Sequence, residues 1–434
     1  MNDGATIKGR VLIVSYYFPP AGGSGVQRVL KLCKHLPELG WQVEVLAPDD
    51  PKWVAHDPDL EASVPERTVV HRARYRGPSH ARSSSDRLAG AQGWRGLGTR
   101  GAVLGRKMLL PDAAVPWAPG AARAALRIVR ERKIDLILTS SPPSSVHIVG
   151  SYVTRRTGIP WIADLRDSWL ANPHRRYERR TVQAKRKLLE QIAHQTLKPA
   201  AGLTAVTDVI RVEASEYARP GIPTRVVSNG CDFDDFDALR HIESERLRIV
   251  HAGYFFGARS PRPFLEALRR LLDQRPDLRG LIDARFIGGF RTSDREWAES
   301  LRLGDALRID GFVPHREALR AMKEADALLL LIPTANGLGT TVLSGKIFEY
   351  LAAERPIVGL VPTAGAAADL LRSTGFAWIA DPDDVAGICS TLADLTDTWR
   401  AGGLTERELP PDVRERLDRR ARASEMAAMF EEVT

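Results

Sequence analysis

Cysteine is scarce and scattered: Cys33, Cys231 and Cys389 are odd in number and far apart in a chain of 434 residues. That excludes a disulfide framework, leaves a zinc site little to build on, and fits a reducing cytoplasm. None of the ten histidines stands at metal-ligand spacing from another ligand. No apolar run approaches the roughly 20 residues that cross a bilayer. The polar N-terminus, Met1 to Arg10, leads into a strand without the pattern of a secretory signal. The glycine fingerprint of dinucleotide binding is missing too. Reading Gly23-x-Gly25 as its start puts Arg28 where the third glycine belongs, which argues against a nicotinamide-dependent oxidoreductase.

What is present is a soluble α/β pattern. The chain is 44% hydrophobic and 27% charged, and too long for one compact core. Val11 to Phe18 is a continuous apolar run of the kind buried on both faces of a parallel sheet. Gly22-Gly-Ser-Gly25 follows, then a helical stretch from Val26 to Leu39 closed by Gly40. Strands are predicted at 43–47, 134–139, 161–164 and 203–206, with helices at 144–157 and 177–197 between them. The second half repeats the theme, with strands near 248–252, 284–287, 307–309, 327–332, 356–361 and 377–380. This alternation implies two doubly wound, Rossmann-like domains facing a cleft. The boundaries are placed at 1–235, 236–412 and a last helix, 413–434, that packs back across the domains. Ligands of such sheets bind beyond the carboxyl ends of the strands.

The residues at those ends carry the candidate chemistry. Lys346 to Ala353 reads as a short helix stopped by Pro356, with Gly345 and Lys346 in the first turn, where backbone N–H groups attract anions. Lys346 is expected to meet a phosphate and Glu349 to accept hydrogen bonds from a ribose diol. The plainer reading is a capped helix with a surface ion pair. Gly253 and Arg259 follow one strand, Gly288-Gly289 another, and Pro19-Pro-Ala-Gly-Gly-Ser-Gly25 the first. Ser140-Ser-Pro-Pro-Ser-Ser145 reads mainly as a helix cap. Asp164-Leu-Arg-Asp167, with Trp169 nearby, is either a functional cluster or a structural Arg–Asp pair.

These residues resemble the GT-B retaining glycosyltransferases often called family 4. The resemblance covers nearly the whole length. It is carried by the glycine loop at Gly22-Gly23, by Ser228-Asn-Gly230, and by Glu349, Ala352 and Pro356 at the family's spacing. It implies a hexosyltransferase whose second domain holds a nucleotide-sugar donor and whose first domain binds the acceptor. By that resemblance Glu349 holds the donor ribose, Arg259 touches the diphosphate with help from Lys346, and Gly22, Gly23, Gly253, Gly288 and Thr341 lie against the donor. Asp167 takes a catalytic place, and Arg166 and Trp169 are assigned to the acceptor. The departures are Thr341 for the first glutamate of the family's pair, Tyr254 for a usual arginine, and Arg166-Asp167 for a usual His-Asp. No cofactor and no metal is expected, the nucleotide-sugar being a substrate. The resemblance suggests work in cell-surface polysaccharide or glycolipid assembly, with the base (uridine or guanosine), sugar and acceptor left open. A GT-B-like epimerase or hydrolase is the rival reading.

The net charge of +8 is concentrated. From Arg67 to Lys107 ten Lys or Arg stand against the single acid Asp86. This segment is read either as a surface loop or as an attachment to anionic lipid, which would place a cytoplasmic enzyme at the inner face of the membrane near a lipid-linked acceptor. The Arg175–Arg180 and Lys185–Lys187 clusters would extend that surface. A nucleic-acid partner is not expected, since no recognition fold or aromatic–basic platform accompanies the charge.

Overall fold

The computed structural model of the protein describes residues 6–23, 25–50, 56–77, 109–170, 180–255, 258–404 and 408–434. They fall into two compact units, one drawn from 1–172, 176–228 and 422–434, the other from 173–175 and 229–421.

The first unit is built on β1 (Gly9–Ser15), β2 (Trp41–Pro48), β3 (Val69–Ala73), β4 (Leu136–Ser140), β5 (Trp161–Leu165), β6 (Gly202–Ala205) and β7 (Thr224–Val226). They pair in the order β3-β2-β1-β4-β5-β6-β7, all parallel. The run Val11-Leu-Ile-Val14 is wholly buried because each face of β1 has its own cover. Leu12 and Val14 pack with the 118–132, 146–157 and 180–197 helices, whereas Val11 and Ile13 pack with the 27–35 and 419–433 helices. The expected 26–39 helix is α-helical over Gln27–His35 and tightens to 3-10 over Leu36–Leu39. Gly40 closes it at φ 90°, a left-handed cap.

The second unit holds β8 (Leu247–Ala252), β9 (Ile282–Ile287), β10 (Leu307–Ile309), β11 (Ala327–Leu331), β12 (Ile357–Leu360) and β13 (Ala377–Ala380). Their order is β10-β9-β8-β11-β12-β13, again all parallel. In each sheet the order reverses beside the first strand, between β1 and β4 and between β8 and β11. Those reversals open the crevice where ligands of doubly wound sheets sit.

Three expectations change. The boundary falls at 228/229 rather than after 235, because Cys231, Phe233 and Phe236 are buried in the second unit's core. The last helix is two helices, Pro411–Leu417 and Arg419–Val433, separated by the extended Asp418 (φ −64°, ψ 131°). Only residues 422–434 join the first unit, where Met426, Met429 and Phe430 pack against Trp41 and its neighbours. The basic segment opens with a strand: Arg72 lies in β3, and residues 78–108 are outside the described residues, as are 171–179. No described helix is long and apolar enough to cross a membrane.

Phe430 is fully buried and meets the Trp41 ring edge-on at 5.1 Å. Phe430→Ala is expected to destabilise the first unit by about 3–5 kcal/mol through the lost burial and the cavity left behind. Urea unfolding followed by tryptophan fluorescence measures it, and a loss under about 1 kcal/mol would show that the C-terminal helix is dispensable for this unit.

Candidate functional site

In the second unit the carboxyl end of β8 is gripped by the helix Gly345–Ala352, one residue off the expected limits. Ile347, Phe348, Tyr350 and Leu351 are buried and seat this helix on the sheet. From its first turn Lys346 Nζ donates to the Ala252 carbonyl at 2.6 Å, and one turn on the Tyr350 hydroxyl accepts from the Ala252 amide at 2.9 Å. Ser344, the N-cap, makes no side-chain cap bond, so the first turn keeps its positive end.

Glycine at 253 is what lets the lysine in. A Cβ there would lie 1.6 Å from Lys346 Nζ, and its φ of +155° already disfavours side chains. Gly288, after β9, has φ +115°, and a Cβ on it would meet the Gly253 carbonyl oxygen at 2.6 Å. Three expected residues are thereby brought together with a fourth, Arg259, whose charge reaches Lys346. Burial, then Arg259, push the Lys346 ammonium down to about 8, against an upward pull from Glu349. Burial also lowers the Arg259 guanidinium. Thr341 sits exposed at the end of the 3-10 turn Ala335–Thr341, four residues before the helix.

Beneath them lies His251, missed in the sequence because a histidine inside an apolar strand carries no motif. It is fully buried, its Nδ1 lies 2.8 Å from the Leu329 carbonyl, and its ring stacks on Phe255 at 4.9 Å. Burial first, then the charges of Lys346 and Arg259, hold it neutral, well below the usual range.

In the first unit the carboxyl ends gather around Asp164. It is fully buried and accepts from Arg28 Nε at 2.8 Å and Nη2 at 2.7 Å, from Ser140 Oγ at 2.7 Å and from Thr204 Oγ1 at 2.9 Å. Burial would raise this carboxyl, but the Arg28 charge and the hydrogen bonds from Arg28, Ser140 and Thr204 outweigh it and lower the pKa. The structural pair in the Asp164–Asp167 stretch is therefore Asp164 with Arg28, not with Arg166. Arg28, standing where a dinucleotide loop would carry its third glycine, makes that pair.

Arg166 spends two positions on backbone. Nε donates to the Ser141 carbonyl and Nη1 to the Gly25 carbonyl at 2.8 Å, while Nη2 is buried with no hydrogen bond among the described residues. Asp167 beside it is exposed. Trp169 is only 5% exposed and stacks on His147 at 5.8 Å within the core. Of the two residues assigned to an acceptor, Arg166 is thus bonded to two loops and Trp169 packs in the core. The cap on the 146–157 helix also differs, because Asp112 accepts from the Ser145 amide at 2.9 Å where a serine side chain was expected to serve. Gly22 and Gly23 stay at the loop tip, Gly23 exposed with φ +98°.

Residues 22–230 match the family described as Glycosyl transferase 4-like domain. No curated protein matches the chain. Among solved structures it is similar to sucrose-phosphate synthase from Thermosynechococcus elongatus, at 15% identity and a TM-score of 0.64, over 98% of this chain and 99% of that one. It is also similar to the α,α-trehalose-phosphate synthase (UDP-forming) from Burkholderia xenovorans in complex with glucose-6-phosphate, at 14% identity and 0.60, over 98% and 97%. A glycosyltransferase from Rickettsia africae gives 12% and 0.60, over 98% of each chain. At these identities the likeness is one of fold: two Rossmann-like domains of the GT-B kind. The family match is confined to residues 22–230, and there the chain is similar to a glycosyl transferase 4-like domain, in line with the resemblance read from the sequence.

Gly253→Ala is expected to cost about 1–3 kcal/mol, as overpacking does, by displacing Lys346. Combining it with Lys346→Ala should recover part of that loss, the strained φ remaining. Chemical unfolding of the three variants tests this, and simple additivity would mean that the two residues do not compete for the same space.

Proposed function

We propose that the protein moves a sugar from a nucleoside diphosphate to a hydroxyl acceptor, with retention of configuration, in cell-surface polysaccharide or glycolipid assembly. The observation that carries this reading is the cation pair of the second unit. Lys346 is held over Gly253 at the switch point of the sheet, within electrostatic reach of Arg259 and of Glu349. Negative charge develops on the departing diphosphate as the anomeric bond breaks, and preorganised cations lower that barrier most where water is excluded. Arg259, Lys346 and the first turn of the Gly345–Ala352 helix supply such a field. Glu349, partly exposed one turn further on, accepts from the donor ribose, and Gly253 and Gly288 let the phosphates approach the backbone.

In the first unit, exposed Asp167 and the Gly22-Gly23 tip are the groups presented at the strand ends, and we assign them to orienting the acceptor and the donor sugar. One similar structure is of a UDP-forming synthase in complex with glucose-6-phosphate, so UDP-sugars and phosphorylated acceptors head the substrates to try. A lipid-linked acceptor remains the alternative substrate.

A panel of UDP- and GDP-sugars read by thermal shift is the primary test, because a bound donor raises the melting temperature by mass action. No shift with any member, and no nucleotide released with or without acceptor, would end this reading. With the best donor, Lys346→Ala and Arg259→Ala are each expected to lower kcat by roughly 10²–10³. The Lys346 ammonium is present below about 8 and lost above it, so kcat should fall as pH rises through about 8. Lys346→Arg, charged throughout, should lose that limb; persistence of the limb would assign it to another group.

A further inference from the structure

The glycine loop after β1 is anchored at both stems and open at its tip. On the entering side Arg72 of β3 donates to the Pro19 carbonyl and, at 3.2 Å, to the Pro48 carbonyl. The Asp57 amide donates to the Pro20 carbonyl at 2.9 Å, and Ala21 bridges His56. On the leaving side Arg166 holds the Gly25 carbonyl at 2.8 Å while its Nε holds the Ser141 carbonyl. Between the stems, a Cβ on Gly23 would meet nothing within 4 Å.

We infer that Arg166 and Arg72 are positioning residues that clamp the two stems of this loop, so that the Gly22-Gly23 tip is held in one place relative to Asp167. The reaction they serve is the one proposed above, and the inference rests on that reading for its purpose, though not for its geometry. A guanidinium suits the task because its planar fork directs several N–H groups at once, and both arginines bridge two carbonyls from separate segments. Lysine has three N–H donors but on a single nitrogen, so it spans two separated carbonyls less well than the fork does. Arg166 gains a second lever from its place in the chain. The peptide that continues from it carries Asp167, so the loops after β1, β4 and β5 are tied to one side chain. Burial lowers the Arg166 pKa while Asp164 and Asp167 oppose the shift, so the neighbouring carboxylates help keep the charge in place. Ordering the loop at folding spares that cost when a ligand arrives.

Hydrogen exchange tests the clamp without any substrate. The Val26 amide, bonded to the Gly23 carbonyl at 3.3 Å, reports the loop. In Arg166→Met its exchange should quicken by about tenfold or more, the factor for one lost hydrogen bond, with part of the protection returning in Arg166→Lys. Arg72→Met should do the same to the Ala21 amide. Strands of the second unit should exchange as in the wild type. Should Arg166→Met fail to fold, Arg166→Gln, which keeps one donor amide, takes its place. Unchanged exchange at Val26 in a folded variant overturns the inference. With the panel's best-stabilising sugar nucleotide, kcat for nucleotide release should fall by about 10- to 100-fold while KM stays within about threefold, since misplacement acts on the barrier more than on binding. A raised KM with unchanged kcat would make Arg166 a binding residue and overturn the clamp. If the wild type turns over no sugar nucleotide, the reading of the reaction fails, and the exchange rates still decide the clamp.

Discussion

One buried ion pair organises the first unit. Arg28 stands on the helix after β1 and Asp164 near the end of β5, yet their two parallel hydrogen bonds join these elements at the switch point. The same carboxylate takes hydroxyls from β4 and β6, and the same guanidinium reaches the Val227 and Ser228 carbonyls past β7 at 2.9 and 3.0 Å. Five strand ends thus answer to one pair of charges. Such a pair adds little net stability over an apolar substitute, because desolvating both ions offsets their attraction. Its value lies in uniqueness. Removing either partner leaves an uncompensated buried charge, so alternative arrangements of these loops are heavily penalised.

The second unit meets the same topology with a different charge balance. At β1–β4 the central arginine has a fully buried carboxylate in its fork. At β8–β11 Arg259 raises the cost of ionising Lys346, and it affects the lysine more strongly than Glu349 does. The lysine answers with a lowered pKa. A site that holds positive charge against its own repulsion gains most when an anion enters, whereas a site already neutralised gains structure instead. Glycine is needed at 253 and 288 for a separate, steric reason, since backbone and lysine crowd together there.

Much of this was legible in the sequence. Apolar runs such as Val11–Val14 and Ala327–Leu331 declare strands buried on both faces, and the short Gly345–Ala352 helix showed itself through apolar spacing and its stop at Pro356. What failed did so for physical reasons. Val69–Ala73 is a half-exposed edge strand inside a basic stretch, so its period was masked by charge. Asp232 to Asp237 looks like a linker, although Phe233 and Phe236 turn inward to the second core. The burial of Trp169 was not legible beside an Asp-x-Arg-Asp run, because the histidine it stacks on, His147, lies 22 residues earlier on another element. Most instructive is Asp164, whose partner lies 136 residues earlier. Spacing within a motif favours the arginine two residues on, and only the fold brings the distant one closer.

The departures from the family pattern fit together in the second unit. Where an arginine is usual the chain has Tyr254, and its ring lies so close to Gly289 that a Cβ there would come within 2.3 Å of it. The tyrosine is therefore occupied in packing over the turn after β9, and burial raises its pKa, which removes it further from any charged role. A cation is nonetheless delivered to the same strand end, by Lys346 reaching across from the helix that follows β11 to the carbonyl of Ala252. On the proposed reading, the charge that the strand's own loop has given up comes from the opposite side of the switch point. Such an exchange keeps the field at the diphosphate while leaving room above Gly253 to be shaped by the length of a lysine. It couples two positions, 253 and 346, that no local motif connects.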